Sequence, residues 1–202
     1  MVEKLYDNVY RICIPFEDIY TTAFMFVKGS ECIIADSGTT EYDVEEFIIP
    51  EISKLGLTPR YLIVSHMHDD HAGGIATLEK YYPNAKSVGI EKGNIADGDI
   101  LFDRFKVLNL KGHTNDSIGI LDIDTNTLFS FDSLQLRGIS RYRNGVSDVN
   151  EYKKTIDRLR SLNLSRIIAS HDYDPYGYIA VGEVEVKRYL HECEKWDVKK
   201  QR

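Results

Sequence analysis

The sequence predicts an α+β protein in which two mixed sheets pack face to face with helices outside. Three observations lead there. A series of strand-like runs followed by helix, strand and helix occurs twice along the 202 residues. Two short apolar runs, Arg60–Ser65 and Arg166–Ser170, do not alternate with polar residues, which suits strands covered on both faces. The helical segments each carry one apolar stripe, so each needs a sheet to cover it. The expectation is one domain, residues 1–202, made of two similar halves, about 1–100 and 101–202.

In the first half, Val9–Phe16, Ala23–Lys28 and Glu31–Ala35 are rich in β-branched and aromatic residues, with Gly29-Ser30 as a tight turn. Residues from Glu41 to Leu55 read as helix, with Val44, Ile48, Ile52 and Leu55 on one face, and Pro50 should kink or split it. The strand Arg60–Ser65 follows, then a helix over His71–Tyr82 ended by Pro83. In the second half, Phe105–Leu110, Ser117–Asp124 and Thr127–Phe131 read as strands, and Thr125-Asn126 turns between the last two. Residues 133–147 form a long loop. Asp148 with Glu151 three residues on starts a helix bearing Tyr152, Ile156 and Leu159. After the strand Arg166–Ser170, residues Val181 to Val198 read as helix, with Val186, Leu190 and Cys193 on its apolar face.

Composition narrows the function classes. Hydrophobic residues make up 43% and charged residues 28%, ordinary for a globular protein that does not live in lipid. The net charge of −7 disfavours binding to nucleic-acid backbones. No apolar run is long enough to cross a bilayer, and the N-terminal segment lacks the apolar core of a signal peptide, so a cytoplasmic setting is expected. Cys13, Cys32 and Cys193 are widely spaced and odd in number, which reads as three small apolar residues rather than a disulfide framework.

The chemistry concentrates in Ser65-His66-Met67-His68-Asp69-Asp70-His71-Ala72-Gly73-Gly74. In extended backbone His66 and His68 share a face while Met67 points away. The chain then turns into a helix, where Asp70 and His71 project in other directions from that pair. Four ligands on a bend can serve two neighbouring ions rather than one. Three of the six histidines fall within the six positions 66–71, which sets aside a loop of stray polar residues. Gly73 and Gly74 let the helix approach the sheet closely. Three further candidates end apolar runs: His113, Asp132 and His171. Singly, each reads as a surface or turn residue; together with the first cluster, each reads as a ligand. His191 sits among charged residues and reads as a solvated helix position.

On the His66-x-His68-x-Asp70-His71 run, then His113, Asp132 and His171 in order, and the early Asp36-Ser37-Gly38 turn, the chain resembles the metallo-β-lactamase-fold superfamily. The likeness spans about residues 10 to 171. It implies a four-layer αββα sandwich, one metal on His66, His68 and His113, the other on Asp70, His71 and His171, and Asp132 bridging both. Two positions depart from the family. Phe131 stands where a Gly often precedes the bridging Asp, and His171 is followed by Asp172 where the family often has Gly. That His-Asp pair looks closer to the lactonase branch than to others, and the resemblance as a whole is to the lactonase or glyoxalase II-like branch.

Imidazole and carboxylate ligands without cysteine suit two divalent ions, Zn²⁺ first, with Fe or Mn possible. Two ions about 3.5–4 Å apart share a water and lower its pKa to about 7, so a metal-bridging hydroxide is the expected nucleophile. Asp70 is read as the catalytic residue that orients it and relays its proton. Asp36 is read as the acceptor of a ligand imidazole N–H, the alternative being a simple turn aspartate. Tyr173 and Tyr176 either donate a hydroxyl to substrate or pack at the rim. The basic loop starting at Arg137 either grips an anion or is solvated. The reaction expected is hydrolysis of an ester-like acyl bond, lactone or thioester, in a small molecule. A small-molecule phosphodiesterase is the alternative among hydrolases. A di-iron oxygen or nitric-oxide reductase is the alternative of another class; His68 in place of Glu and the lack of room for a flavin domain speak against it. A metal-binding protein without catalysis is the remaining alternative. No membrane or nucleic-acid partner is expected, and a homodimer is left open.

Overall fold

The computed structural model describes residues 2–17, 19–90, 92–134, 145–173 and 177–194, the side chain of Tyr173 excepted. They fall into two units, residues 1–95 and 96–202. Each carries one six-stranded mixed sheet with helices, the α+β class expected.

In the first unit, β1 (Val2–Tyr6), β2 (Val9–Phe16), β3 (Ile19–Lys28), β4 (Glu31–Ala35), β5 (Thr58–Ile63) and β6 (Lys86–Val88) lie side by side in chain order. The first four pair antiparallel; β5 and β6 run parallel to β4. A parallel step needs a crossover. The chain supplies it with α1 (Glu41–Asp43), a π-helical turn (Val44–Ile48) and α2 (Ile49–Lys54). Thr40 caps the start: its hydroxyl accepts from Asp43 N–H, and the Asp43 carboxylate accepts from Thr40 N–H. The break expected from Pro50 takes the form of that π turn, in which Ile49 N–H donates to the Val44 carbonyl. Proline has no N–H to continue an α ladder, and widening the preceding turn makes room for its ring. Val44, Ile48 and Ile52 pack with Ile12, Ile14, Met25, Ile34 and Leu62. Burying each stabilises by about 1.5–3 kcal/mol.

The helix expected over His71–Tyr82 is two pieces, α3 (Asp69–Ala72) and α4 (Ile75–Tyr81), parted at Gly73-Gly74. The glycines do not serve approach to the sheet. A Cβ at Gly73 would fall on the Thr39 carbonyl, and one at Gly74 on the Ser37 carbonyl and a Val44 methyl. They let the loop after β4 lie against the helix junction.

In the second unit, β7 (Ile100–Leu101), β8 (Phe105–Asn109), β9 (Ile118–Asp122), β10 (Thr127–Phe131), β11 (Arg166–Tyr173) and β12 (Gly177–Val181) are again neighbours in chain order. Only β10 and β11 are parallel, joined through α5 (Val149–Arg160); α6 (Glu183–Glu194) follows β12. The Asp148 carboxylate accepts from Asn150 and Glu151 N–H and starts α5. Tyr152, Ile156 and Leu159 of α5 and Val186, Tyr189, Leu190 and Cys193 of α6 form one buried cluster with Leu108, Leu128 and Ile167.

β9 stops at Asp122 because that side chain turns the backbone. Its carboxylate accepts from Asp124 N–H and the Thr125 hydroxyl, and from Arg104 Nη2 and Nε at 2.6 and 2.8 Å. Asp122 is fully buried. Asp122→Ala strands those donors, so a loss of about 2 kcal/mol is expected in urea unfolding. A loss below about 0.5 kcal/mol would class the pair with exposed ion pairs. Among the described residues no helix is long and apolar enough to cross a membrane.

Candidate metal centre

In the first unit the ligand run leaves the C-terminal end of β5, beside the end of β4. Asp36 follows β4 with φ 68°, and its N–H donates to the Ile63 carbonyl, so the two strand ends are tied. The Asp36 carboxylate lies fully buried beneath the run and accepts three hydrogen bonds: Ser65 N–H (2.7 Å), Ser65 hydroxyl (2.8 Å) and His71 Nδ1–H (2.8 Å). Burial pushes this carboxyl up from the ordinary range, and His71 and Ser65 pull it back toward ionisation.

Those bonds fix the imidazole tautomers. His71 gives its Nδ1 proton to Asp36, so in the neutral ring Nε2 carries the lone pair. That atom lies 3.3 Å from Asp70 Oδ2. The Ser65 hydroxyl gives its proton to Asp36, so its oxygen accepts from His66 Nδ1–H at 3.1 Å. His66 Nε2 then also carries a lone pair and faces His68 Nδ1 at 3.0 Å. His68 is extended, φ −73° and ψ 149°, at the entry to α3. The ligand atoms of His66 and His68, of His66 and His71, and of Asp70 and His71 lie within 4.8 Å as pairs. The bend does not send His71 away from His66: their ring centroids are 4.3 Å apart.

In the second unit Gly112 precedes His113 with φ 133°, and a Cβ there would strike the Tyr152 backbone. The loop therefore sits tight against α5, and Thr155 donates to the Lys111 carbonyl. His113 Nδ1–H donates to the Gly145 carbonyl at 2.9 Å, leaving Nε2 at 3.9 Å from Asp132 Oδ2. His171, in β11, places Nε2 3.3 Å from the same oxygen. Asp132 is aimed by a local irregularity. The β10–β11 register shifts between Phe129 and Phe131, Phe131 adopts φ 47°, and Ser133 N–H closes onto the Ser130 carbonyl. A left-handed aromatic residue is strained by about 1–3 kcal/mol. The glycine that often precedes this Asp in the resembled family would adopt such a backbone without strain.

The donors fit divalent ions. An imidazole lone pair pointed at an ionised carboxylate oxygen, as at His71 and Asp70, is repulsive unless a cation lies between them. Nitrogen and carboxylate donors with no sulfur suit Zn²⁺ and its neighbours. His66 and His71 of the first unit and His113, Asp132 and His171 of the second are buried, whereas His68 and Asp70 are half-buried.

Three supporting hydroxyls are not legible in the sequence: that of Ser65, that of Ser37, which donates to the His71 carbonyl, and that of Thr21, which donates to the Asp70 carbonyl. Nothing in composition or spacing separates them from any other buried Ser or Thr. Tyr173 ends β11, and its side chain lies outside the described residues, as do Tyr176 and Arg137.

Residues 17–96 match the family model described as the metallo-beta-lactamase superfamily. Hydroxyacylglutathione hydrolase 1 of Vibrio vulnificus is 32% identical over 155 residues, covering 71% of this chain and 59% of that protein. Beta-lactamase-like protein 2 homolog of Caenorhabditis elegans is 27% identical over 192 residues, covering 84% and 63%. The chain thus spans roughly three fifths of the length of these curated relatives. A metallo-beta-lactamase crystal structure from Erythrobacter litoralis superposes with a TM-score of 0.74 at 18% identity, covering 95% of each chain, a likeness of fold.

Proposed function

The chain carries a domain of the metallo-β-lactamase superfamily, and on that premise we propose that it is a metal-dependent hydrolase of a small ester-like acyl substrate. The ligand set proposed is His66, His68 and His113 for one ion, Asp70, His71 and His171 for the other, and Asp132 for both. The observation that carries this reading is the committed Nδ1–H of His66, His71 and His113, which turns each Nε2 lone pair toward another ligand atom. A thioester is favoured over a lactone, because the Vibrio vulnificus relative is named for an acylglutathione and an acyl–glutathione bond is a thioester. The His171-Asp172 pair leans the other way, so both substrates belong in the test.

A divalent pair, when bound, supplies the Lewis acidity that lowers the pKa of water to about 7 and polarises an acyl carbonyl. The chain's own residues do the rest. Asp36 and Ser65 hold two imidazoles in one tautomer and one orientation. Asp70, half-buried, takes a proton from the attacking water and passes it to the leaving group. The buried histidines exclude bulk water from one side of the site. Zn²⁺ is the ion proposed, with Fe or Mn as its competitors. A cytoplasmic setting belongs to the same proposal, supported by three free cysteines.

The test is metal analysis with a substrate panel. The purified chain should carry two equivalents of divalent metal and lose turnover on exhaustive chelation. It should prefer an acylglutathione thioester or a lactone to a β-lactam or a phosphodiester. Asp132→Ala should lose at least one equivalent of metal; unchanged metal content would remove Asp132 from the site.

A further inference from the structure

We infer that Thr21 is a positioning residue for Asp70, acting through the main chain; the inference rests on the ligand set just proposed. α3 is only four residues long, and such a helix cannot hold itself. Its ladder is interrupted where the chain turns at Gly73-Gly74. The His68 carbonyl accepts from His71 and Ala72 N–H, and the Asp69 carbonyl from Gly73 N–H. The next bond of the ladder would run from Gly74 N–H to the Asp70 carbonyl. Gly74 N–H instead donates to the Gly38 carbonyl.

Two side chains from outside the helix fill the gap. The Thr21 hydroxyl donates to the Asp70 carbonyl at 3.0 Å. Ser37 holds the His71 carbonyl with both its N–H and its hydroxyl, at 2.8 and 2.9 Å. His71 is therefore fixed at both ends, by Ser37 on its carbonyl and Asp36 on its ring. For Asp70, the Thr21 bond takes the place of the missing turn. Thr21 is fully buried in β3, where its backbone pairs with Ile14, so the hydroxyl is carried on a rigid strand. Rotation of the Asp70 peptide swings its carboxylate, and the Thr21 hydroxyl resists that rotation. Thr21 touches neither metal nor substrate in this scheme.

The test uses the full chain with Thr21→Val, which keeps shape and strand preference and removes the donor, and Thr21→Ser, which restores it. Metal-free protein is titrated with Co²⁺ and followed by its visible absorption bands. Thr21→Val should weaken one of the two binding steps by about tenfold and change its bands, with kcat falling more than KM changes. Thr21→Ser should return both to wild type. In metal-free protein, amide exchange over residues 70–73 should quicken in Thr21→Val alone. Should Thr21→Val fail to fold, Thr21→Ala replaces it. A Co²⁺ titration of Thr21→Val that overlays the wild type's overturns the inference. So does a loss in Thr21→Ser as large as in Thr21→Val, since the hydroxyl would then be irrelevant. Wild-type protein that binds no Co²⁺ sinks the metal reading itself, while the exchange measurement still judges the Thr21 bond.

Discussion

Asp36→Asn should strip the protein of metal while leaving most of it folded. The replacement keeps the size of the side chain and one acceptor, but puts an NH₂ where an oxygen accepted from both Ser65 and His71. Two donors then face each other at His71. The ring relieves this by moving its proton to Nε2, the atom 3.3 Å from Asp70 Oδ2, and so loses its ligand lone pair. The Ser65 hydroxyl, now accepting from the amide, turns its proton toward His66 Nδ1 and drives that ring to the same wrong tautomer. One amide thus disables two ligands. Each strained or lost buried bond costs about 1–3 kcal/mol, but relief of the buried charge offsets part of it, so a net loss of about 2 kcal/mol is expected. Asp36→Ala leaves all three donors unmet, and should cost about 4 kcal/mol. Urea unfolding reads stability and elemental analysis reads metal. Wild-type metal content in Asp36→Asn would show that Asp36 is a turn residue and nothing more.

Gly73→Ala should be the most damaging single methyl in the first unit's ligand region. Its backbone is ordinary, with φ −61°, so glycine is not needed there for conformation. It is needed for space, because the new Cβ meets the Thr39 carbonyl oxygen and carbon, which belong to backbone and cannot rotate aside. A loss of about 3 kcal/mol is expected, with separation of α3 from the loop that carries Asp36. Gly29→Ala is the control: φ is 63°, yet nothing lies within 4 Å of the new Cβ, so the cost is backbone strain alone, about 1 kcal/mol. Equal losses in the two variants would mean that the Thr39 loop yields freely.

The strands legible in the sequence are the inner ones. β2, β3, β4 and β5 of one sheet and β8, β9, β10 and β11 of the other carry apolar runs that the pattern reveals. The four missed, β1, β6, β7 and β12, are the edges of both sheets. An edge strand pairs on one side only, and two of these are short: Ile100–Leu101 is two residues long and Lys86–Val88 three. Their conformation is imposed by the neighbour, not by their own residues. The same reason explains β11, expected to end at Ser170 but continuing to Tyr173 through the polar His171 and Asp172.

The candidate ligands were legible because they are chemically conspicuous and stand where apolar runs stop. Of the residues that orient them, Asp36 was legible and the hydroxyls of Thr21, Ser37 and Ser65 were not. Asp36 was found on its place in a turn, but its three donors come from residues 29 and 35 positions away, and no spacing announces them. Thr21 is 49 residues from the carbonyl it holds.

Side-chain chemistry and periodicity are local, so the sequence by itself determined the α+β class, the inner strands, the amphipathic helices and the inventory of nitrogen and oxygen donors. Which nitrogen of each imidazole keeps its proton, how the helix after β5 breaks, and why Phe131 bears a glycine's conformation were decided only by tertiary structure. Those outcomes depend on what a distant segment donates, accepts or leaves no room for, and that is settled when the chain closes on itself.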